Sequence, residues 1–494
     1  MTDMNTEKIF VTYEEFGAVG DGVTDDMPAI VACHDYANAH HLPVVARDGA
    51  EYYIGGKDIT AKIMTSTHWG KAKFTIDDRR LENVKGSCFL VVSANERFPV
   101  EIPSLCHNQK ALDLPHEGNL YVRVFSAKRR VYIRKGVNQN NGNEASDCFL
   151  LDAEGDIQSG INWDYDEITS AYAVSADDEP IVLEGGIFTT IANEWESVYN
   201  YHSRNIEVLR SNVTIRNLTH YVTGEGDHGA PYSGFLAATE CANLTIEDCL
   251  LTPHKTYPTA GKLPGSISYM GSYDLSLHAV INAHIRRVSQ TIDIRNTAYW
   301  GLMGSNFSKE IHLEDCTVSR FDAHCGVTNG SIRRCTLGHM GVNLIGFGEF
   351  LIEDTTVYCT RLVHFRDDYG AFFHGKLTLR RCTLVPTGKL SSPVPIFRAK
   401  NTGDHDFGYP CGMPETIVVD GLTIKDRDVP GDLSYVLFSS YDPHVDEDKP
   451  YPYETPKHLT ASVTVESGRS IALAADLRAF PHLRESDMTV TTNA

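Results

Sequence analysis

Seven short stretches of the chain alternate apolar and polar positions in the same way, and each ends in a pair of polar or charged residues. Each stretch has one aliphatic key residue at the same place in its pattern. The key residues are Ile215, Ile246, Ile285, Leu313, Ile332, Ile352 and Leu379. Alternation with a period of two is typical of a β-strand that buries one face. The seven stretches therefore predict seven related strands.

The residue that follows each key residue alternates in charge from one stretch to the next. These residues are Arg216, Glu247, Arg286, Glu314, Arg333, Glu353 and Arg380. The position after that reads Asn217, Asp248, Arg287, Asp315, Arg334, Asp354 and Arg381. If parallel strands lie about 4.8 Å apart, each outward acid meets a base on its neighbour, whereas like charges directly opposite are destabilising. The pattern predicts a β-solenoid with loops of variable length, and such loops often form a binding face.

Four of the 12 cysteines fall on one position of this pattern, three residues after the key residue. They are Cys249, Cys316, Cys335 and Cys382, and the other copies carry Leu218, Val288 and Thr355 there. Small side chains that recur at one register position are expected to stack inside the solenoid as reduced thiols. The cysteines therefore predict core packing rather than disulfides or a metal site.

The N-terminal region reads as a strand, a glycine turn, a capped helix and a second strand. Thr24, Asp25 and Asp26 supply acceptors for a helix N-terminus, and Pro28 is tolerated in the first helical turn. We expect a helix from about Pro28 to His40 that caps the first coil of the solenoid.

The stretch FGAVGDGVTDD, followed by this helix and by GAEYYI, resembles the entry to the pectate-lyase superfamily. The resemblance implies an all-β, right-handed parallel β-helix with an N-terminal capping helix. It also implies one of several carbohydrate activities, because the superfamily contains polysaccharide lyases, glycoside hydrolases such as polygalacturonases, epimerases and phage tailspike depolymerases. The chain has no single run that matches the paired-aspartate and G-H-G pattern of polygalacturonases, so no catalytic role is carried over.

Changes of pattern divide the chain into four ranges. Residues 1–76 contain the entry strand, the capping helix and the first coil. Residues 77–191 read as a β-rich insertion or subdomain, residues 192–430 as the β-helix core with its loop-built cleft, and residues 431–494 as terminal coils or a C-terminal cap.

The composition of the chain limits the classes of partner that it can bind. The formal net charge of −21 disfavours nucleic acid, which requires basic compensation, and no apolar run is long enough for a membrane span. The N-terminus lacks the pattern of a signal peptide, so we expect a cytoplasmic protein unless a signal was removed. The exposed flank of a solenoid makes a homotrimer an expectation as well.

The loops that follow the key residues are rich in carboxylates, cations and aromatic rings, which a sugar-binding cleft requires. We predict a carbohydrate substrate and expect no metal or other cofactor, because no tight ligand spacing is present. The predicted catalytic carboxylates are Asp322, Asp367, Asp368, Glu225 and Asp227. The predicted substrate-binding residues are Arg320, His324, Arg366, His364, Asn343, His228, His254, Lys255, Tyr257 and Trp300.

Asp322 is the first choice for a catalytic carboxylate because Arg320 and His324 flank it on the most regular part of the pattern, with Asp367 or Asp368 as its partner. A proton donor and a second carboxylate about 5 to 9.5 Å apart would hydrolyse a glycosidic bond. We therefore predict a glycoside hydrolase. Two alternatives stay open, namely a lyase that cleaves a uronic-acid polymer by β-elimination with Lys255 or an arginine, and a non-catalytic, tailspike-like module that binds glycans.

Overall fold

The protein folds as a right-handed parallel β-helix with an N-terminal capping helix and an antiparallel insertion. The structure is a computed structural model that describes residues 8–133, 142–198, 200–260, 267–399, 411–439 and 453–492. Each coil of the solenoid contributes to three parallel sheets, which we call the ladder, middle and return sheets in the order in which the chain meets them. The all-β fold class predicted from the sequence is confirmed.

The ladder sheet contains the seven predicted strands. Its strands within the core are Val213–Arg216, Ala242–Glu247, Ile281–Arg286, the end of Met303–Glu314, the end of Thr317–Arg333, Gly346–Glu353 and Phe373–Arg380. Val44–Val45, Thr67–Asp77 and Ile181–Ile191 precede them, and Thr416–Ile424, His458–Val465 and Met488–Thr492 follow. The longer of these strands continue into the middle sheet.

The middle and return sheets complete each coil. The middle sheet contains Asp21–Asp25, Glu51–Ile54, Thr219–Thr223, Leu250–Leu251, Ser289–Gln290, the start of Thr317–Arg333, the start of Thr336–Asn343, Thr356–Cys359 and Thr383–Pro386. The return sheet contains Ala61–Ile63, Phe89–Val91, Ile206–Val208, Leu236–Thr239, Leu275–His278, the start of Met303–Glu314, the centre of Thr317–Arg333, the end of Thr336–Asn343, Val363–His364, Val394–Arg398, Tyr435–Phe438 and Ile471–Ala474.

The helices are few and short. The predicted capping helix runs over Met27–His40, and its Ile30, Cys33 and Ala37 are buried in the same core as the first coils. Single 3-10 turns lie at Tyr13–Phe16, Asp367–Tyr369, Leu477–Ala479 and Glu485–Asp487. None of the helices in the described ranges is long and apolar enough to cross a membrane.

The strand register confirms the predicted ladder. The key residues pair in one unbroken column from Ile215 to Leu379, which continues to Leu183 before and Val419 after. Every key residue is buried, at 2% exposure or less. One aliphatic side chain from each coil therefore forms a continuous column inside the solenoid.

The charge alternation makes a network on the outer face of the ladder sheet. Arg287 pairs with Asp248 at 2.6 Å and with Glu247 at 3.1 Å. Arg381 forms the equivalent ion pair with Asp354 at 2.7 Å. The second residue of each charged pair has a left-handed backbone, with φ between 49° and 58°, which turns the chain into the middle sheet. Exposed pairs contribute about 0–1 kcal/mol each, so the ladder mainly favours correct register over slipped alternatives.

The cysteine column is also confirmed. Cys249, Cys316, Cys335 and Cys382 are buried at 1–2% exposure, and so are the residues that replace them in the other coils. All four are free thiols. Burial raises the pKa of Cys249 to about 12, and the hydrogen bond with Cys316 together with burial raises the pKa of Cys335. These side chains pack the core and have no access to solvent.

The insertion is a five-stranded antiparallel sheet beside the solenoid. Its strands are Phe98–Pro99, Leu120–Val131, Asn143–Leu151, Ile157–Gln158 and Ser170–Ser175. The range 77–191 predicted for an inserted unit contains this sheet, together with two strands that pair with solenoid strands. Two further short pairings join Tyr257–Ala260 to Ile267–Met270 and Cys411–Gly412 to Tyr453–Glu454. The four-range division itself stays a prediction.

A buried ion pair fastens the insertion to the solenoid. The Lys309 ammonium lies 2.6 Å from the Asp147 carboxylate, and both side chains are fully buried. Lys309 also donates to the Gly160 carbonyl at 2.6 Å, while the second Asp147 oxygen accepts from the Asn162 backbone at 2.7 Å. Both charges are thus paired and hydrogen-bonded, which is the condition under which burial of charge is tolerated.

We expect Lys309→Met to lower the free energy of unfolding by about 3–5 kcal/mol, because it leaves the Asp147 carboxylate buried without its counter-charge. Urea unfolding measures this loss. The double variant Lys309→Met/Asp147→Leu should recover much of it, and the exposed Arg334→Gln should cost less than about 1 kcal/mol. Equal losses in Lys309→Met and Arg334→Gln would contradict the anchoring role.

Candidate functional site

The predicted site residues lie on the return sheet, on the loops that lead into it from the middle sheet, and in the turn that follows Val363–His364. Parallel pairing sets Asp322 beside Asn343 and Asn343 beside His364 on successive coils. Loops from neighbouring coils fold over these positions and bring Tyr273, Trp300 and Arg366 against them. We call this surface the loop face.

Asp322 lies at the centre of a buried charge cluster. Its side chain is fully buried, and its Oδ1 accepts a hydrogen bond from Arg366 at 2.9 Å. Its Oδ2 accepts from Arg320 and from the hydroxyl of Tyr273. Both carboxylate oxygens are therefore engaged by protein donors, and two guanidinium groups are held by one acid.

Asp322 is ionised at neutral pH. Burial favours the neutral acid, but the positive charges of Arg320 and Arg366 outweigh burial and lower the pKa of Asp322 to about 2. Burial raises the pKa of Tyr273, and Asp322 raises it further. The hydroxyl is therefore protonated at neutral pH and donates a hydrogen bond to Asp322. An ionised, enclosed carboxylate is suited to orienting the two arginines rather than to protonating a leaving group.

Arg320 connects this cluster to the next coils. Its guanidinium lies 4.8 Å from the ring centroid of Trp300 and 5.5 Å from that of Tyr273. With the Asn343 amide oxygen facing Arg320, that oxygen accepts from Nε and Nη2 at 3.1 and 3.2 Å, and the amide nitrogen donates to His364 Nδ1 at 3.0 Å. The predicted binding residues Arg320, Asn343 and His364 thus form one hydrogen-bonded chain.

Arg366 links Asp322 to the carboxylate of Asp368. Its Nε and Nη2 donate to the two oxygens of Asp368 at 2.9 and 2.8 Å. Burial lowers the pKa of Arg366, but the charges of Asp322 and Asp368 raise it well above its ordinary value. The Asp368 side chain is 32% exposed, so it is the solvent-facing end of the cluster. Asp367 lies in the same 3-10 turn, and its side chain is outside the described part of the structure.

His324 lies two residues after Asp322 and joins the same surface. One ring nitrogen is 3.1 Å from the Asn306 side-chain oxygen, and the other is 3.1 Å from the hydroxyl of Tyr369. The histidine is partly exposed. Tyr369 also lies under the guanidinium of Arg366, 5.0 Å from ring centroid to Cζ, which holds His324 beside the charge cluster.

A second cluster on earlier coils surrounds His254. Its Nδ1 lies 3.1 Å from Glu225 Oε1 and its Nε2 lies 3.7 Å from Asp274 Oδ1. The ring stacks on Tyr232 with centroids 4.7 Å apart. Glu225 also accepts from the backbone of Lys255 at 3.1 Å. Glu225, His254 and Lys255, which the sequence predicts as site residues, are therefore in contact.

The two carboxylates keep His254 charged. Burial alone would lower the pKa of this imidazole, but the nearby Asp274 carboxylate and the hydrogen bond to Glu225 outweigh burial and raise the pKa to about 9. The matching carboxylate of Asp274 has a pKa of about 2, because the effects of His220 and His254 exceed that of burial. At neutral pH this cluster is an imidazolium between two carboxylates.

Asp274 also belongs to a hydrogen-bonded row of the kind found in nucleophilic enzymes. His220 Nδ1 is 2.8 Å from Asp274, and its Nε2 is 2.9 Å from the Thr190 hydroxyl. Exposure is 3% for Thr190, 1% for His220 and 0% for Asp274. A nucleophile must reach its substrate, so this row is suited to packing beneath the loop face rather than to covalent catalysis.

The remaining predicted residues differ in exposure. Asp227 and His228 are exposed, and Tyr257 is buried at 7% exposure. Trp300 is half-buried, and its backbone nitrogen donates to the His254 carbonyl at 3.0 Å. Trp300 therefore lies between the two clusters and contacts both.

The spacing of the coils keeps the carboxylate of Asp227 far from that of Asp368. Five steps of the ladder separate the coil of Ile215, whose loop carries Asp227, from the coil of Ile352, whose loop carries Asp368. At roughly 4.8 Å a step this is about 24 Å. The separation exceeds the roughly 9.5 Å that an inverting pair of carboxylates spans. Asp227 and Asp368 thus cannot act on one bond.

Sequence reasoning missed Tyr273, Asp274, His220 and Tyr369. Tyr273 and Asp274 directly precede the return strand Leu275–His278, so they re-enter the solenoid instead of leaving it. The prediction considered only residues that follow the key strands. The points at which loops re-enter the return sheet were the signal that could have found Tyr273 and Asp274, whereas His220 lies on the middle strand Thr219–Thr223 and Tyr369 in the turn Asp367–Tyr369.

Comparisons with known proteins give no family for this chain. No family model matches it, and no curated protein matches its sequence. Among solved structures, the tailspike protein gp49 from Pseudomonas phage LKA1 is 13% identical with a TM-score of 0.48, over 94% of this chain and 79% of the other. The Streptococcus pneumoniae adhesin PfbA is 12% identical with a TM-score of 0.47, over 94% and 100%. An exopolygalacturonase from Thermotoga maritima is 9% identical with a TM-score of 0.36, over 98% and 91%.

His254 should make stability depend on pH. Its pKa rises from 6.5 to about 9 on folding, so its stabilisation is fully present below pH 6.5 and is lost as the pH rises through 9. We expect urea unfolding to show a loss of up to about 3 kcal/mol across this window. His254→Gln should remove this slope. The exposed His228→Gln is the matched control, and an unchanged slope in His254→Gln would refute the assignment.

Proposed function

We propose that the protein is a carbohydrate-active enzyme that hydrolyses glycosidic bonds on its loop face. The observation that carries the proposal is the cluster in which buried Asp322 holds Arg320 and Arg366, and Arg366 in turn holds the part-exposed Asp368. Burial of several charges costs stability unless every charge is paired, and such clusters concentrate at functional sites.

Two buried donors support a polar ligand at this place. Arg320 Nη1 and Trp300 Nε1 are enclosed and have no hydrogen-bond partner among the described residues. Buried donors are nearly always satisfied, so these two require an acceptor that the described residues do not supply. A sugar hydroxyl is such an acceptor, and the ring of Trp300 can cover the apolar face of a pyranose.

The proposal divides the carboxylates by role. Asp368 is the reacting carboxylate because it is the solvent-facing acid of the cluster. Asp367, which the sequence gives as the alternative to Asp368, is its proposed partner. Asp322 is a positioning residue that sets both arginines. Arg320, Asn343, His364 and His324 bind hydroxyls around the reacting bond.

Glycan binding without turnover is the second candidate, and one observation favours it. Asp322, the first choice from the sequence, has both oxygens occupied by protein donors. Asp227 lies too many coils away to replace it as a partner of Asp368. A site in which Asp368 is the one accessible acid among the described side chains would bind sugar and leave its bonds intact. The homotrimer and the cytoplasmic location stay predictions.

Mass spectrometry after incubation with neutral glycans and polyuronates should give products that carry one added water. Asp368→Asn should lower turnover by about 100-fold or more while glycan binding is retained, because the acid acts on the bond and the arginines stay in place. Asp293→Asn, which changes an exposed acid paired with Arg295, is the control. Unsaturated chain ends would establish elimination instead, and binding without any product would establish the module.

Asp322→Asn should weaken glycan binding and turnover together, since both arginines lose the charge that orients them. The affinity of the folded protein should be measured by calorimetry below its unfolding transition, because a loss of stability alone does not change that affinity. Unchanged affinity with abolished turnover would assign Asp322 to the chemical step and contradict the positioning role.

A further inference from the structure

A groove lies between the insertion and the solenoid, and it is lined by residues other than those of the loop-face cluster. It has a volume of about 860 Å³, within the roughly 300–1,000 Å³ of small-ligand sites. The insertion contributes the wall that contains Asn108, Gln158 and Trp163. The solenoid contributes the wall that contains Glu310 and Asn329, at the turns from the return sheet into the ladder sheet.

Two glycines shape the solenoid side of the groove. Gly348 and Gly375 follow Asn329 in the same column of turns, with φ of 79° and 141°. A Cβ on Gly348 would lie 2.1 Å from the Asn329 side-chain oxygen, and one on Gly375 would lie 2.0 Å from the Gly348 carbonyl. Side chains are thus excluded here, and backbone peptide groups form this part of the surface.

Fixed polar groups line the same wall. The Asn329 amide nitrogen donates to Glu310 Oε1 at 2.7 Å, and its oxygen accepts from the Glu349 backbone at 2.9 Å. The Thr328 hydroxyl donates to Asn162 of the insertion at 2.8 Å, which joins the two walls at the base of the groove. Side chains whose positions are set by such bonds bind a ligand with little loss of conformational entropy.

Aromatic rings pack together beside these polar groups. Trp163 stacks on Phe372 at 5.3 Å and meets the edge of Phe347 at 4.9 Å between centroids. The Arg129 guanidinium lies 5.1 Å from the Trp163 ring. His107, which is exposed, lies 6.4 Å from Phe347. Trp163 is 7% exposed, Phe347 6% and Phe372 0%, so only a small part of this ring cluster reaches the groove, and hydrogen-bonding groups form most of its surface.

The groove carries charges of both signs. The insertion side has the cations Lys110 and Arg129 and the acid Asp164, whereas the solenoid side has Glu310, Glu415 and Glu454. A strongly charged ligand of either sign would meet like charge on one wall. A neutral ligand with many hydroxyls can donate to the carboxylates and accept from the cations at the same time.

We propose that this groove is a second carbohydrate site, which takes a neutral oligosaccharide. Glu310 and Asn329 bind its hydroxyls, and the part of Trp163 that reaches the groove contacts the bound sugar. The site shares no residue with the loop face, so this inference does not depend on the hydrolysis proposed there. Such a site would hold a long glycan at a distance from the reacting bond and raise its effective concentration.

The four tryptophans of the chain separate the two sites in one experiment. Trp163 reports on the groove, Trp300 on the loop face, and the fully buried Trp69 is an internal reference. We would label the full-length protein with 5-fluorotryptophan, assign the resonances with Trp→Phe variants, and titrate maltohexaose, cellohexaose, hexagalacturonate and a chitosan hexamer at millimolar concentration. We expect a neutral hexamer to shift the Trp163 resonance saturably.

Matched variants test the assignment. Glu310→Gln should weaken the binding seen at Trp163 by about tenfold, because a hydrogen bond to a charged acceptor is lost. Glu349→Gln, an exposed acid outside the groove, should leave the affinity unchanged. No shift at Trp163 with either neutral hexamer, a shift with charged hexamers alone, or full affinity in Glu310→Gln would overturn the inference. A shift confined to Trp300 would overturn it while leaving the proposed function intact.

Discussion

The parallel register of the coils is the constraint on which the rest of the molecule depends. Because Ile215 lies beside Ile246 and the column continues without a break to Val419, every loop leaves the solenoid at a fixed phase. A slip of one residue would turn each buried aliphatic side chain outward. It would also separate Arg287 from Asp248 and Arg381 from Asp354. Hydrophobic burial thus supplies the stability, and the charges make one register preferable to its neighbours.

Buried charge is used twice in this protein, in two different ways. At the insertion, Lys309 and Asp147 are fully enclosed and hydrogen-bonded to backbone groups, so this pair is not available to bind a ligand. On the loop face, the chain of charges begins at enclosed Asp322 and ends at part-exposed Asp368. The first arrangement fastens two units together. The second holds a rigid set of donors against a surface that solvent can reach.

The sequence predicted the solenoid well because strand register leaves a periodic record. The alternation around Ile215 to Leu379 and the cysteine column are local patterns that need no knowledge of the loops. The site was harder to predict from the sequence. Asp322 has the sequence context of a loop acid, but it is enclosed by Tyr273 and Arg366 from other coils. The groove beside Trp163 could not be predicted, because it forms only where the insertion meets the solenoid.

The anchoring of the insertion also sets an order on the assembly of the chain. Gly160, which accepts from Lys309, is made 149 residues earlier than its partner. At about 5–20 residues per second of synthesis, that interval is roughly 7–30 seconds. During it, Asp147 has no cation to bury against, so the insertion cannot dock until the coil of Met303–Glu314 exists. The solenoid must therefore grow past the insertion before the groove between them can close.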